Sequence, residues 1–264
     1  MRPVLFKIGK LSIPGYGFMI ALGFVIALLV GGYRAKKKGL DAEAVIDLAI
    51  IAILTGFLGA KLLYIIISFR EFLESPAVFL KTSGFVVYGG IISGVLCCML
   101  YCRIKKLKFL DYFDLVMPEV AIAQGFGRIG CFLAGCCYGR ETDAAWGITF
   151  PADSMAPSGV KLIPTQLMSA VGDFVIAAVL IVVADVLVKK IKLVSGDIGC
   201  LYVWMYGIGR FFIEFLRNDF RGSVGPFSTS QFISLFAVAG GVVLCYVNRR
   251  LKKDRTKEST QESL

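Results

Sequence analysis

Residues 12–38 read SIPGYGFMIALGFVIALLVGGYRAKKK, an uncharged run as far as Tyr33 followed at once by a basic cluster. A helix needs about 20 predominantly apolar residues to cross a hydrocarbon core. The stretch 12–33 is therefore long enough to span, and Arg34, Lys36, Lys37 and Lys38 mark the end that stays in the cytoplasm. Working outward, six further stretches have the same character, near 44–68, 84–102, 113–137, 166–188, 197–217 and 229–248. Composition agrees: 57% of the 264 residues are hydrophobic and the mean hydropathy is +0.75, against roughly 45–50% apolar residues in an ordinary soluble domain. Lipid offers no partner to backbone N–H and C=O groups, so each span satisfies its own as a helix. The sequence predicts an all-α, polytopic membrane protein with seven transmembrane helices.

The net charge of +10 is distributed by loop rather than gathered on a nucleic-acid-binding face. After the cluster that follows span 1, Arg103, Lys105, Lys106 and Lys108 follow span 3, Lys189, Lys190 and Lys192 follow span 5, and six Lys/Arg lie between Arg249 and Lys257. The intervening loops carry at most two each. This alternation places the N-terminus outside and the C-terminus in the cytoplasm. Arg2, Lys7 and Lys10 run against it, and four concordant clusters outweigh them. No cleavable signal peptide is evident, because the strongest basic cluster follows span 1 instead of preceding it. The organisation expected is a seven-helix transmembrane domain over 1–248 and a charged cytoplasmic tail over 249–264, read as disordered. The longest loop, Arg140 to Pro164, has the length of a functional cap.

Arg128 and Arg210 sit inside two of the spans. A guanidinium does not shed its charge, and even lenient insertion scales put its cost at roughly 2.5–3.5 kcal/mol at a helix centre. Such residues point to an anionic ligand, and the nearest abundant anion is a lipid phosphate. Tyr206, Arg210, Glu214 and Arg217 are spaced by four, four and three residues, which puts them on one helical face. With the topology above, that face, Arg128, Tyr16 and Tyr88 share the outer half of the membrane. Each has a plainer reading: Tyr16 as an interfacial anchor, Arg210 and Glu214 as a self-neutralising pair, Arg217 as a side chain that snorkels to the surface. Glycines 125, 127, 130, 135 and 139 suit either helix packing or a break in span 4 that lets a ligand reach the backbone. Lys61 reads as a partnered charge, and Glu119 as one nearer the inner end.

Eight cysteines are present and histidine is absent. Most of the cysteines lie in spans, where a thiol is a small apolar side chain. Cys131, Cys136 and Cys137 cluster near the outer end of span 4. Their C-x4-C-C spacing matches no zinc pattern, so no metal site is expected, and a disulfide among them stays open.

At these residues the chain resembles the prolipoprotein diacylglyceryl transferase family. Gly127-Arg128-Ile129-Gly130-Cys131-Phe132-Leu133-Ala134-Gly135-Cys136-Cys137-Tyr138-Gly139 is similar to the family signature G-R-x-G-N-F-x-N-x-E-x-x-G. Pro164-Thr165-Gln166-Leu167 resembles its P-[ST]-Q-L element, and Tyr206 to Glu214 its Y-x-x-x-R-F-x-x-E element. The likeness runs from Tyr16-Gly17 to the segment Ser228 to Gln231. It implies a multi-pass protein of the bacterial cytoplasmic membrane that moves the diacylglyceryl group of phosphatidylglycerol onto the lipobox cysteine of a prolipoprotein signal peptide, releasing glycerol phosphate. It also implies no cofactor, no metal and no nucleic-acid partner. By position, Arg128 and Arg210 are catalytic and hold the lipid phosphate, with Glu214 beside Arg210; Tyr16, Gly139, Gln166 and Tyr206 shape the substrate site.

The chain departs from the family pattern at informative places. Tyr88 stands where the family has a histidine before Gly-Gly, Cys131 and Cys136 replace the signature Asn and Glu, and Met168-Ser169 replaces Tyr-Glu. Tyrosine, with a reference pKa of about 10, is a poor base at neutral pH. Three readings remain: the arginine field eases thiol deprotonation with Tyr88 or Glu214 assisting; the acceptor is not a lipobox thiol; or the chain binds or moves lipid without transfer. A role for the three clustered cysteines as acceptor or redox group is a further alternative.

Overall fold

The computed structural model of the chain describes residues 4–9, 11–81, 84–190, 193–219 and 222–261. In order, the elements are β1 (Val4–Ile8), β2 (Leu11–Pro14), α1 (Gly15–Lys37), α2 (Ala42–Ile67), α3 (Phe69–Glu74), α4 (Pro76–Lys81), α5 (Val87–Ile104) and α6 (Phe109–Ala134). They continue with β3 (Ile148–Thr149), β4 (Lys161–Leu162), α7 (Thr165–Ile181), α8 (Asp197–Glu214), β5 (Ser223–Val224), β6 (Phe227–Ser228) and α9 (Thr229–Gln261). The long helices α1, α2, α5, α6, α7, α8 and α9 stand where the apolar stretches predict them. Among the described residues, five segments are long and apolar enough to cross a membrane: Gly15–Lys37, Ala42–Ile67, Val87–Ile104, Thr165–Val186 and Thr229–Arg250. The protein is a mostly helical, multi-pass membrane protein. The other two long helices, α6 and α8, carry Arg128 and the Arg210–Glu214 pair, which dilute their apolar character.

Two local expectations change. The fold is not purely α: β1–β2, β3–β4 and β5–β6 are antiparallel hairpins between helices. The first ends at Pro14 and so takes residues 12–14, where span 1 was read to begin: Leu11 and Ile13 alternate with Ser12, and Pro14 holds the residue before it in extended backbone. At the other end α9 runs unbroken to Gln261, so the tail is helical that far. Its Arg, Lys, Gln and Glu residues are good helix formers, and nothing between Asn248 and Gln261 is Gly or Pro.

The chain divides into two compact units, Met1–Val30 with Phe113–Leu264, and Gly31–Tyr112. In the second, α2 and α5 meet through small residues: a Cβ at Gly90 would lie 2.6 Å from the Gly56 carbonyl oxygen, so only glycine permits the approach. Ser93 Oγ donates to the Thr55 carbonyl across the same seam at 2.7 Å. Lys61 is partnered, as its sequence context suggested: Nζ donates to the Phe79 carbonyl at 2.9 Å and lies over the Tyr64 and Phe85 rings. Tyr88 is the second residue of α5.

In the first unit, α6, α7 with the π-helical turn that continues it (Val182–Val186), and α8 share a core of Ala121, Ile176, Ala177, Leu180, Ala184 and Ile198. Asp114 on α6 accepts hydrogen bonds from the Gly196 and Gly199 amides at 2.6 and 2.8 Å. A carboxylate thus caps the N-terminal turn of α8, whose first amides have no partner within the helix, and favours its dipole. At its start α9 carries a reciprocal capping box: the Ser228 amide donates to Gln231 Oε1 at 3.0 Å and the Gln231 amide donates to Ser228 Oγ at 3.1 Å. α6 is continuous through its glycines. Gly125 accepts the Phe174 ring and Gly130 accepts Tyr16, so these residues serve packing, and the helix ends only at Gly135 with φ +74°. The connection after it packs a small core of its own from Phe150, Ala156 and Leu162.

Candidate functional site

Arg128 on α6, Asp173 on α7 and Tyr206 and Arg210 on α8 line one cavity of about 140 Å³, together with Ser169 and Gly172. Tyr206 and Arg210 share a face because they are four residues apart. Each is held from behind. Nη2 of Arg210 stands 2.8 Å from Glu214 Oε2 and donates to Ser230 Oγ, in the first turn of α9, at 3.0 Å. The Tyr206 ring stacks on Tyr202 at 5.7 Å, and Tyr202 Oη donates to Gln124 Oε1 at 2.8 Å.

Among the described residues, two buried atoms of the side chains lining the cavity have no hydrogen-bond partner, Nη1 of Arg210 and one carboxylate oxygen of Asp173. Buried polar atoms are nearly always satisfied, and orphans concentrate where function needs them. Among the described residues Arg128 makes no salt bridge. The cavity thus offers planar, permanently charged donors suited to an oxyanion, with a carboxylate beside them. Asp173 is only 5% exposed. Sequence reading passed over it, although the rule that flagged the arginines applies to an aspartate in the apolar stretch 166–188.

The other sequence-predicted residues build the surroundings. Gln166 is 1% exposed and its Nε2 donates to the Cys136 carbonyl at 2.8 Å, while Thr165 Oγ1 donates to the Cys137 carbonyl at 2.8 Å. Gly139 lies between two chain segments: its amide donates to the Ile163 carbonyl at 3.0 Å, and the next amide, Arg140, donates to the Leu216 carbonyl at 2.8 Å. A Cβ there would meet Ile163 Cβ at 2.7 Å and the Leu216 carbonyl at 2.9 Å. Tyr16, 44% exposed, packs against Gly130, two residues beyond Arg128. None of these three is among the residues lining the cavity. Arg217 does not snorkel to the surface: it lies past the end of α8, 7% exposed, with Nε and Nη2 on the two carboxylate oxygens of Asp219 at 2.9 and 2.8 Å. A near carboxylate offers a buried guanidinium two fixed acceptors, which water at the surface does not. Tyr88 belongs to the other unit.

The family model described as prolipoprotein diacylglyceryl transferase matches residues 3–247. The chain is 45% identical over 254 residues to the phosphatidylglycerol–prolipoprotein diacylglyceryl transferase of Clostridium tetani, covering 96% of this chain and 100% of that one. It is 45% identical over 260 residues to phosphatidylglycerol–prolipoprotein diacylglyceryl transferase 2 of Clostridium perfringens, covering 98% and 100%. A relative in Finegoldia magna with the same name as the first is 33% identical over 246 residues, covering 92% and 94%.

Proposed function

The chain belongs to the prolipoprotein diacylglyceryl transferase family, and from that premise we propose that it transfers the diacylglyceryl group of phosphatidylglycerol to the lipobox cysteine thiol of prolipoproteins, releasing glycerol phosphate. The observation that carries the reading is the cavity lined by Arg128, Tyr206, Arg210 and Asp173, with Nη1 of Arg210 unpartnered. Arg128 and Arg210 hold the phosphodiester. The acceptor sulfur attacks the glyceryl carbon bonded to the phosphate oxygen, the carbon–sulfur bond forms, and the carbon–oxygen bond breaks with its electron pair passing to phosphate. Fixed guanidinium groups in a water-poor site stabilise the charge that develops there. Asp173 takes the thiol proton as the bond forms, and that proton leaves on the glycerol phosphate.

Glu214 fixes the direction of Arg210 and Tyr206 lines the wall beside it. Tyr88 stands at the family histidine's position in the sequence. Tyr16, Gly139 and Gln166 shape the substrate-facing end of α6 and the turn after it. In the same reading seven spans cross the bacterial cytoplasmic membrane, with the N-terminus outside and the C-terminus in the cytoplasm. Residues 1–248 form the transmembrane part and 249–264 a cytoplasmic extension, and the acceptor arrives as part of a signal peptide.

The test is transfer from labelled phosphatidylglycerol to a lipobox peptide by the purified protein, with Arg128→Ala alongside. Thioether product that depends on Arg128 is expected. Bound phosphatidylglycerol with no product would replace transfer by lipid binding or another acceptor, and full activity in a folded Arg128→Ala protein would sink the phosphate assignment.

A further inference from the structure

α6 delivers Cys131 in its last turn, and the chain then reverses through Gly135 at φ +74° and Cys137 at φ +62°. This reversal brings the sulfur atoms of Cys131, Cys136 and Cys137 within 4.8 Å of one another. All three are thiols rather than disulfides. A non-glycine residue in the left-handed region costs roughly 1–2 kcal/mol, so surrounding bonds must hold Cys137 there. They do: Gln166 and Thr165 grip the carbonyls of Cys136 and Cys137, and the Cys136 amide donates to the Cys131 carbonyl at 3.1 Å. Local strain imposed by several independent bonds is characteristic of functional turns. The C-x4-C-C spacing carries no metal signature by itself, because convergence depends on the turn and not on the count of residues between ligands.

We propose that Cys131, Cys136 and Cys137 form a binding site for one thiophilic d10 cation, Cu(I) or Zn(II). Three sulfur donors gather there without a nitrogen or carboxylate ligand in the cluster, and soft thiolates select such ions over hard ones. Around an ion with metal–sulfur bonds of about 2.3 Å, three sulfurs lie about 3.8–4.0 Å apart. The 4.8 Å limit on the present spacing therefore calls for a contraction of at most about 1 Å. Cu(I) is satisfied by three thiolates, whereas Zn(II) keeps a fourth position for water. Binding displaces the thiol protons to solvent. The thiolate charge that the ion does not neutralise falls near Arg128, which precedes Cys131 by one helical turn. None of the site's three sulfur ligands is among the side chains lining the cavity.

The full-length protein, purified and reduced without oxygen in detergent, is titrated with Cu(I) and separately with Zn(II) against a chromophoric chelator. One ion per chain is expected for at least one metal. Affinity should fall in Cys131→Ser, Cys136→Ser and Cys137→Ser by at least the 10–100-fold seen when a residue that merely hydrogen-bonds a metal ligand is lost. Cys200→Ser, outside the cluster, should bind as the parent does. X-ray absorption on the loaded parent protein reads the ligands without any variant, and three sulfurs at about 2.3 Å are expected. No stoichiometric ion with either metal, binding that survives serine at all three positions, a shell of oxygen or nitrogen, or a disulfide among the three in protein isolated without oxygen would each overturn the proposal.

Discussion

Nη2 of Arg210 and Oε2 of Glu214 stand 2.8 Å apart, one helical turn from each other on α8, and Arg210 also reaches Ser230 on α9. The two anchors aim the guanidinium and leave Nη1 without a partner. Removing one partner of a buried pair costs about 3–5 kcal/mol because the other charge is stranded. Glu214→Gln is therefore expected to lower the melting temperature in detergent and to depress transfer together. Glu214→Asp should recover part of both. Unchanged melting with normal transfer would show that Arg210 is positioned by something else.

Asp173 is the one carboxylate among the side chains lining the cavity. Asn fills the same space without accepting a proton, so Asp173→Asn should lower kcat by about 10²–10⁴ while phosphatidylglycerol still binds. Loss of lipid binding in step with the rate would assign Asp173 to holding the arginines rather than to proton transfer.

Arg128→Lys keeps the charge and loses the planar fork. A point charge at the end of a flexible stem does not reproduce two parallel hydrogen bonds to a phosphate. The expected loss in transfer is about 10²–10³, the range for one oxyanion donor, with the far-ultraviolet circular dichroism unchanged. Parent-like rates would mean that charge alone suffices at this position.

Gly139→Ala tests packing rather than chemistry. The added methyl meets Ile163 Cβ at 2.7 Å and the Leu216 carbonyl at 2.9 Å. Overpacking of this kind destabilises by about 1–3 kcal/mol, and thermal unfolding should show it. A neutral result would mean that the two flanking segments yield freely.

Ser228→Ala removes half of the capping box at the start of α9, worth about 1 kcal/mol. Because Ser230 in that first turn holds Arg210, transfer should fall more than stability does. Equal behaviour of rate and parent, with only the melting temperature reduced, would separate the cap from the site.

Much of the architecture was legible because membrane helices announce themselves locally. A run such as 12–33 needs no information from elsewhere in the chain to be recognised, and neither does the four-residue spacing of Tyr206, Arg210 and Glu214. The hairpins were not legible: β3 and β4 are two residues each and are joined across a loop. Gln231 was noticed only as part of a resemblance, and its place in a capping box needed the coordinates of Ser228. Asp173 was open to the argument used for Arg128 and was missed because no motif surrounds it.

Sequence alone settled that this chain is a helical membrane protein, where its long helices lie, and that two arginines sit inside long apolar stretches. These follow from composition and periodicity, which act over a few turns of one helix. Tertiary structure alone decided that Asp173 joins those arginines, that Arg217 turns inward to Asp219, and that the sulfur of Cys131 meets those of Cys136 and Cys137 across a left-handed turn. Each of these depends on how separate segments pack or reverse, and no local pattern encodes the distance between residues that only folding brings together.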